Sequence, residues 1–286
     1  MVTYAIAADC FRGPKLTAIS GLLGSAWGLA PVLAPAAGGV LVEYISWRGI
    51  FGAIAVAAAI VVLAAVIWLP ETLDRDRRTP VRLGTTVATI LGAMGNAKFV
   101  AFTLVFGAMA SAQMVFGVVA PFLYQTLLGF TPAAYGLVAL LLGGVNLIGE
   151  LSCSGLAPRM GARRLAFGGL SPYLAGAVIL AGTGLAVGPG LFGITIGGAL
   201  VLGGCGLLCP MKYGMALGLF ERDLGLLGGL VSAICYLLVS GAMAVAAVLP
   251  ESSQTPLGLL YLLLGLVAGG LLAWAMATGR RVPGPA

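Results

Sequence analysis

The chain has 286 residues, of which 60% are hydrophobic and 8% are charged. Soluble domains carry about 25% charged residues, so this chain has too little polar surface to fold as a globule in water. Its net charge of +6 is spread over short segments between apolar stretches, which is typical of membrane topology signals and not of nucleic-acid binding. The composition therefore predicts an all-α membrane protein and excludes a soluble enzyme.

The residue types that build metal and catalytic sites are scarce. There is no histidine, which excludes zinc sites and proton relays built on imidazole. Cys205 and Cys209 are four residues apart and share one face of an apolar helix, where we expect them to be small core residues. We predict no metal site, no cofactor and no enzyme activity.

Apolar stretches long enough to cross a bilayer follow one another along the chain. A crossing helix needs about 20 apolar residues. Eight complete spans meet this requirement after an apolar stub over residues 1–9, and in chain order they are 17–42, 49–70, 98–122, 133–155, 165–187, 190–211, 224–249 and 256–278.

The basic residues indicate the orientation of these spans. With alternate connections assigned to opposite sides, fourteen of the fifteen Lys and Arg residues fall on one side and Arg48 alone on the other. Short cytoplasmic loops retain Lys and Arg, so both termini are predicted to be cytoplasmic. Arg159, Arg163, Arg164 and Lys212 are among the residues assigned to cytoplasmic connections.

The longest interruption of the apolar pattern, residues 71–97, divides the chain. It begins with the densest charge run, from Glu71 to Arg78, and its milder second half is compatible with a segment lying along the membrane surface. We predict four parts: residues 1–70 as part of an N-terminal bundle, 71–97 as a cytoplasmic loop between bundles, 98–278 as a six-helix C-terminal bundle, and 279–286 as a cytoplasmic tail.

The first span contains a regular run of small residues and prolines. It reads Gly21-x8-Ala30-x3-Ala34-Pro35-x2-Gly38-Gly39. Small residues let a neighbouring helix approach closely, and proline bends a helix. The run resembles the signature Gly-x8-Gly-x3-Gly-Pro-x2-Gly-Gly in the fifth span of drug:proton antiporters of the bicyclomycin/chloramphenicol-resistance type, with alanine in place of two glycines. The resemblance implies a pivot between bundles, whereas ordinary close packing explains the same residues.

Other segments resemble the same antiporters, which belong to the major facilitator superfamily. Ser46-Trp47-Arg48-x2-Phe51 follows the small-residue run, and Gly129-Phe130-Thr131-Pro132 matches the outer loop after the seventh span of that family. The resemblance implies two six-helix bundles joined by a cytoplasmic loop. By this correspondence the chain begins near the end of the fourth span, so we expect the first three spans and most of the fourth to be missing.

Glu150 is the one carboxylate that lies clearly inside a predicted span. A charge at the centre of a membrane helix costs about 2.5–3.5 kcal/mol, and burial favours the neutral form that a proton carrier needs. Asn146, four residues earlier, shares the face of Glu150 and is placed to hydrogen-bond it. The alternative is that Glu150 lies at the cytoplasmic interface and pairs with Arg159, Arg163 or Arg164.

A site for amphipathic compounds needs an apolar, aromatic cavity with a few polar groups. Gln113 is the strongest candidate, because an amide near mid-span is costly unless it lines a cavity or meets another helix. The predicted cavity residues are Trp27, Gln113, Phe116, Asn146, Tyr213 and Tyr236. Each aromatic residue taken alone also fits a core or lipid-facing position, which is the simpler interpretation.

These features predict a secondary transporter of the cell membrane that exports small amphipathic compounds in exchange for protons. Its partners are then a small-molecule substrate, protons and the lipid bilayer, while nucleic acid is not a partner and the oligomeric state is open. The alternative is a non-transporting remnant, or a membrane bundle that assembles with another bundle and has no independent activity.

Overall fold

The computed structural model describes residues 33–68, 83–220, 223–250 and 252–277, and divides the chain into two compact units. The first unit comprises residues 1–82 with 131–140, and the second comprises residues 83–130 with 141–286. The described residues are predominantly helical and include no strand, which confirms the all-α prediction.

In the first unit, residues 33–44 form a helix (α1) and Trp47–Trp68 form a second helix (α2). Ser46 begins α2, and its Oγ accepts a hydrogen bond from the Gly49 N–H at 3.3 Å. A serine in this position satisfies one of the backbone donors that the first helical turn leaves free. None of the residues of α2 is buried.

In the second unit, a short helix α3 (Leu83–Gly95) leads into α4 (Ala97–Phe122), which ends in a π-helical turn (Leu123–Leu127). The helical stretch Pro132–Ala186 is interrupted at Gly161, where φ is 72° and ψ is 151°. We label its two apolar parts α5 (Pro132–Cys153), whose first residues belong to the first unit, and α6 (Arg159–Ala186). The remaining helices are α7 (Leu191–Leu217), α8 (Leu224–Ala247) and α9 (Thr255–Ala277).

Seven helices of the described part are long and apolar enough to cross a membrane, namely α2 and α4 to α9. They match seven of the eight predicted spans, which confirms these seven. Of the remaining span, 17–42, only residues 33–42 are described, and they are helical; the rest of it and the stub 1–9 lie outside the described residues.

The predicted loop 71–97 contains a helix in its second half. This helix, α3, has 13 residues and is therefore shorter than a bilayer crossing requires. Residues 71–82 of the predicted loop lie outside the described residues. The division of the chain into four parts and the position of the 81–95 segment along the membrane remain predictions.

Helix α4 lies at the centre of the second unit, where it packs against α7, α8 and α9. Its start is fixed by Asn96, whose Oδ1 accepts hydrogen bonds from the backbone N–H groups of Lys98 (3.1 Å) and Phe99 (3.3 Å). Because other helices cover α4 on several sides, side chains such as Val105 and Met109 are fully buried.

Three tyrosine hydroxyls connect helices of the second unit. Tyr261 of α9 donates to the Ala112 carbonyl of α4 at 3.0 Å, and Tyr173 of α6 donates to the Tyr261 carbonyl at 3.1 Å. Tyr124, in the π-helical turn, shares a 2.8 Å hydrogen bond with Thr195 of α7. Each hydroxyl thus has a partner in another helix, as buried polar groups require.

The cysteines of the second unit are core residues. Cys205 is 0% and Cys209 8% exposed, which confirms the prediction for this pair. Cys153 and Cys235 are buried as well, and all four are free thiols. Among the described residues, no group of three or more acidic or cysteine side chains is arranged to hold a metal ion.

Candidate functional site

The predicted cavity residues of α4 lie along its contact with α7. The Phe106 and Tyr213 rings are 5.5 Å apart between centroids, and a Cβ added at Gly198 would lie 2.5 Å from the Phe116 ring. Gln113 is half-buried and stands between Phe106 and Phe116 in the sequence of α4. We call this surface, defined by Phe106, Gln113, Phe116 and Tyr213, the α4–α7 seam.

The seam is longer than one small molecule. Gly198 and Tyr213 are fifteen residues apart on α7, a distance of about 22 Å along the helix axis. Phe116 and Tyr213 therefore lie at opposite ends of the seam and do not contact one small ligand together. The structure brings Tyr213 together with Phe106, a residue that the sequence did not single out.

The lysine beside Tyr213 is fully buried. Lys212 is 0% exposed, and its Nζ lies 3.6 Å from the Met215 sulfur and 5.5 Å from the centre of the Phe102 ring. The predicted end of this span at Met211 was wrong, because α7 continues to Leu217, so Lys212 lies in the helix and not in the connection that follows it; its assignment to the cytoplasmic side stays a prediction. Among the described residues, no carboxylate is paired with Lys212.

A signal for this position was present in the sequence. Lys212 is the only charged residue between Arg164 and Glu221, and eight uncharged residues follow it. The apolar pattern therefore continues past Met211 to Phe220, and a single charge inside such a run indicates a membrane-embedded site more readily than a loop.

The polar pair of α5 is formed as predicted. Asn146 is 4% exposed, and its Nδ2 donates a hydrogen bond of 3.0 Å to Glu150 Oε1. The other amide atom, Asn146 Oδ1, is buried and has no hydrogen-bond partner among the described residues. Arg159, Arg163 and Arg164, the alternative partners of Glu150, have exposed side chains.

Helices α5 and α7 cross next to this pair. A Cβ on Gly206 would collide with the main-chain oxygen of Asn146, and a Cβ on Gly149 would lie 2.6 Å from the Gly203 oxygen. Only glycine lets the two backbones approach so closely. The crossing therefore holds Asn146 and Glu150 against the helix that carries Lys212.

Cys153 lies between the two charged residues of these helices. It follows Glu150 by three residues on α5, and its thiol contacts the Met211 backbone and lies near Lys212. Cys153 marks the position on α5 that faces Lys212. Glu150 therefore lies about one helical turn before that position, or about 5 Å along the axis of α5. The structure places an acid and a base on adjacent helices without pairing them.

The remaining predicted cavity residues do not join the seam. Tyr236 of α8 is 60% exposed, and Trp27 lies outside the described residues. A cavity of about 270 Å³ does exist in the second unit, but at the ends of α4 and α8 and the start of α9, where its lining includes Val118, Phe122 and Leu257. None of the five predicted cavity residues that the structure describes lines it.

The small-residue run makes close contacts within the first unit. A Cβ on Gly39 would lie 2.5 Å from the Pro132 oxygen, and a Cβ on Gly136 would lie 3.2 Å from the Ala36 Cα. Helix α1 and the start of α5 therefore touch through their backbones. Of the predicted run, Ala34, Pro35, Gly38 and Gly39 lie in α1, and Gly21 and Ala30 lie outside the described residues.

Comparison with known proteins identifies the family. Residues 1–220, more than three quarters of the chain, match the Major Facilitator Superfamily. The chain belongs to the Major Facilitator Superfamily. Membership agrees with the apolar helices and the small-residue run, and it relates this protein to a family of membrane transporters.

Individual relatives within the Major Facilitator Superfamily agree with the resemblance to drug-efflux transporters. The chain is 27% identical over 296 residues to the "Uncharacterized MFS-type transporter YdgK" of Bacillus subtilis strain 168, covering 99% of the chain and 70% of the relative. It is 28% identical over 274 residues to "Multidrug resistance protein D" of Escherichia coli K12, covering 93% of the chain and 66% of the relative. It is 25% identical over 218 residues to "Multidrug transporter MdfA" of Edwardsiella ictaluri, covering 76% of the chain and 52% of the relative. The chain thus spans between 52% and 70% of the length of these superfamily members.

Proposed function

We propose that this protein exports small amphipathic compounds across the cell membrane in exchange for protons, with both termini in the cytoplasm. Membership of a transporter superfamily and similarity to proteins named as multidrug transporters support export. The observation that carries the proton coupling is Glu150, a half-buried carboxylate inside a span that is bound to a buried amide.

Glu150 is suited to carry the proton. A carboxylate in a membrane span is costly when charged, so a change in its exposure to water changes its protonation. The Asn146 amide donates to Glu150 Oε1, which supports the ionised state when the proton leaves. In this scheme Glu150 binds a proton in the conformation open to one side of the membrane and releases it in the other.

The α4–α7 seam is the proposed substrate surface. Phe106 and Tyr213 supply aromatic faces, and the half-buried Gln113 supplies an amide that makes no hydrogen bond within the described part of the chain. The backbone contact of α1 with the start of α5 is the proposed pivot, because closely touching helices without bulky side chains can slide or rock on each other.

A transport assay tests this function. The purified chain is reconstituted in liposomes with an acidic interior, and uptake of a cationic dye (ethidium) and an anionic dye (fluorescein) is followed by fluorescence. We expect uptake of at least one dye that stops when an ionophore dissipates the proton gradient. Glu150→Gln should abolish this gradient-dependent uptake, whereas Glu43→Gln, which changes an exposed carboxylate of α1, should preserve it.

A second candidate is a membrane bundle that acts only when assembled with another bundle. The observation that favours it is α2, a helix long and apolar enough to cross a membrane that has no buried residue in the structure. In this case the chain alone gives no gradient-dependent uptake of either dye, although circular dichroism shows that it is helical and folded. The same liposome assay therefore separates the two candidates.

A further inference from the structure

Lys212 is buried, and no described residue with a negative charge contacts its ammonium group. It has no exposed surface, and buried charges in proteins are normally paired. Its Nζ contacts the Met215 thioether at 3.6 Å and lies over the Phe102 ring, 5.5 Å from the ring centre. A thioether is a weak acceptor and a ring face offers only a quadrupole, so neither neutralises the ammonium charge.

The acid of the helix that crosses α7 is hydrogen-bonded to another residue. Glu150 is on the adjacent helix about one turn away, and its Oε1 accepts the hydrogen bond from Asn146. Cys153, not Glu150, is the α5 side chain beside Lys212. Within the described residues the positive charge of Lys212 is therefore unbalanced in this conformation.

The surroundings of Lys212 fit an aromatic compound. Phe106, Tyr213 and Met215 are all half-buried and pack on the same hydrophobic core cluster. The Phe106 and Tyr213 rings are tilted by 56° to each other; Tyr213 follows Lys212 on α7, and Phe106 follows by four residues on α4 the Phe102 ring that Lys212 faces. Met215 has a flexible side chain that can give way, and the four-carbon stem of lysine lets the ammonium turn toward a ligand.

We propose that Lys212 binds the acidic group of the transported compound, so that this end of the α4–α7 seam takes amphipathic aromatic anions. The carboxylate or sulfonate replaces the Met215 sulfur as the partner of the ammonium, and the aromatic body lies against Phe106 and Tyr213. The inference rests on the proposed function for the statement that the bound compound is transported, while the binding itself is measured independently.

The test compares two probes of the same shape and different charge. The purified full chain in detergent is titrated with 2-naphthoate or with the neutral 2-naphthamide, and binding is followed by the shift in thermal unfolding midpoint. The variants are Lys212→Met and Lys212→Gln, which remove the charge, and Lys212→Arg, which keeps it. Lys98→Met, at the start of α4 and outside the seam, is the matched control for loss of one lysine.

We expect 2-naphthoate to stabilise the wild type and Lys98→Met, and to bind more tightly than 2-naphthamide. Removing the charge should weaken naphthoate binding by about tenfold or more and leave naphthamide binding unchanged, because a charge-assisted hydrogen bond is lost. Lys212→Arg should retain the preference for the acid. Should Lys212→Met fail to fold, the comparison rests on Lys212→Gln and Lys212→Arg.

Three results overturn the proposal: no binding of 2-naphthoate to the wild type in the millimolar range, equal affinity for acid and amide, or unchanged naphthoate affinity when the charge is removed. Binding without gradient-dependent transport would leave the anion site in place and count against the proposed function alone. Transport of ethidium without naphthoate binding would support the proposed function and overturn the anion site.

Discussion

The main-chain oxygen of Asn146 contacts Gly206 so closely that it would collide with the Cβ of any other residue at position 206. The contact sets the distance between α5 and α7. It therefore also sets how close the Asn146–Glu150 pair lies to the helix that carries Lys212 and Tyr213.

Replacing Gly206 should destabilise the second unit. In Gly206→Ala the added methyl group collides with backbone, which cannot rotate away as a side chain can, and overpacking of this kind costs about 1–3 kcal/mol. Gly214→Ala, in the same helix, is the control, because no atom lies within 4 Å of its added Cβ. Thermal unfolding in detergent should show a lower midpoint for Gly206→Ala, and an unchanged or raised midpoint for Gly214→Ala. Equal midpoints for the two variants would contradict the close crossing.

Burial of Lys212 should lower the free energy of unfolding of the protein. Lys212→Met replaces a buried, unpaired ammonium by an apolar side chain of similar length, so we expect a gain in unfolding free energy. A gain of about 1 kcal/mol corresponds to a midpoint about 2–4 °C higher in a chain of this size. Differential scanning fluorimetry measures the midpoint, with Lys98→Met as control. A lower midpoint would instead show that a counter-charge holds Lys212 in the folded protein.

The hydroxyl of Tyr261 should contribute measurably to folding. Tyr261→Phe removes a buried hydrogen bond of 3.0 Å to the Ala112 carbonyl, for which we expect a loss of about 1 kcal/mol. Tyr236→Phe is the matched control, because Tyr236 is 60% exposed and should change the unfolding midpoint little. If both variants unfold at the wild-type temperature, the hydroxyl bond between α9 and α4 does not stabilise the protein.

The contact of α1 with the start of α5 should matter for transport. Gly39→Val introduces a side chain against the Pro132 carbonyl, whereas Ala37→Val adds similar bulk at an exposed position of the same helix. We expect Gly39→Val to reduce proton-dependent dye uptake at least several-fold at equal protein level, and Ala37→Val to behave as the wild type. Wild-type uptake by Gly39→Val would exclude a role of this contact as a pivot.

The orientation of the spans can be tested directly. A reporter inserted between Arg159 and Arg164, whose side chains are exposed, should be active on the cytoplasmic side, as should one fused to the C-terminus. Reporters on opposite sides of the membrane would contradict both the orientation and the even number of spans between these points.

The spans could be predicted from the sequence because a lipid bilayer restricts which segments can cross it. A bilayer crossing needs an apolar run of about 20 residues with every backbone group bonded internally, and no other feature of this chain produces such runs. The Asn146–Glu150 hydrogen bond was predictable for a similar reason, since residues four apart on a helix always share a face. In both cases local geometry alone decides the outcome.

Which helices pack against each other could not be predicted in this way. A membrane helix is apolar on all sides, so its sequence does not show which face meets another helix and which meets lipid. Tertiary packing decides that Phe116 contacts Gly198 and that Tyr236 is exposed. Lys212 was assigned to a loop for another reason: the predicted span was ended at this first charged residue, although eight uncharged residues follow it.

The three tyrosine hydroxyls have a consequence for motion. They link α9 to α4, α6 to α9, and the end of α4 to α7 across the direction in which the helices run. Helices joined laterally in this way resist sliding past one another, because each displacement breaks a buried bond. The second unit should therefore respond to a ligand as a rigid body, with its amides at Ala112 and Thr195 exchanging hydrogen for deuterium slowly and to the same extent.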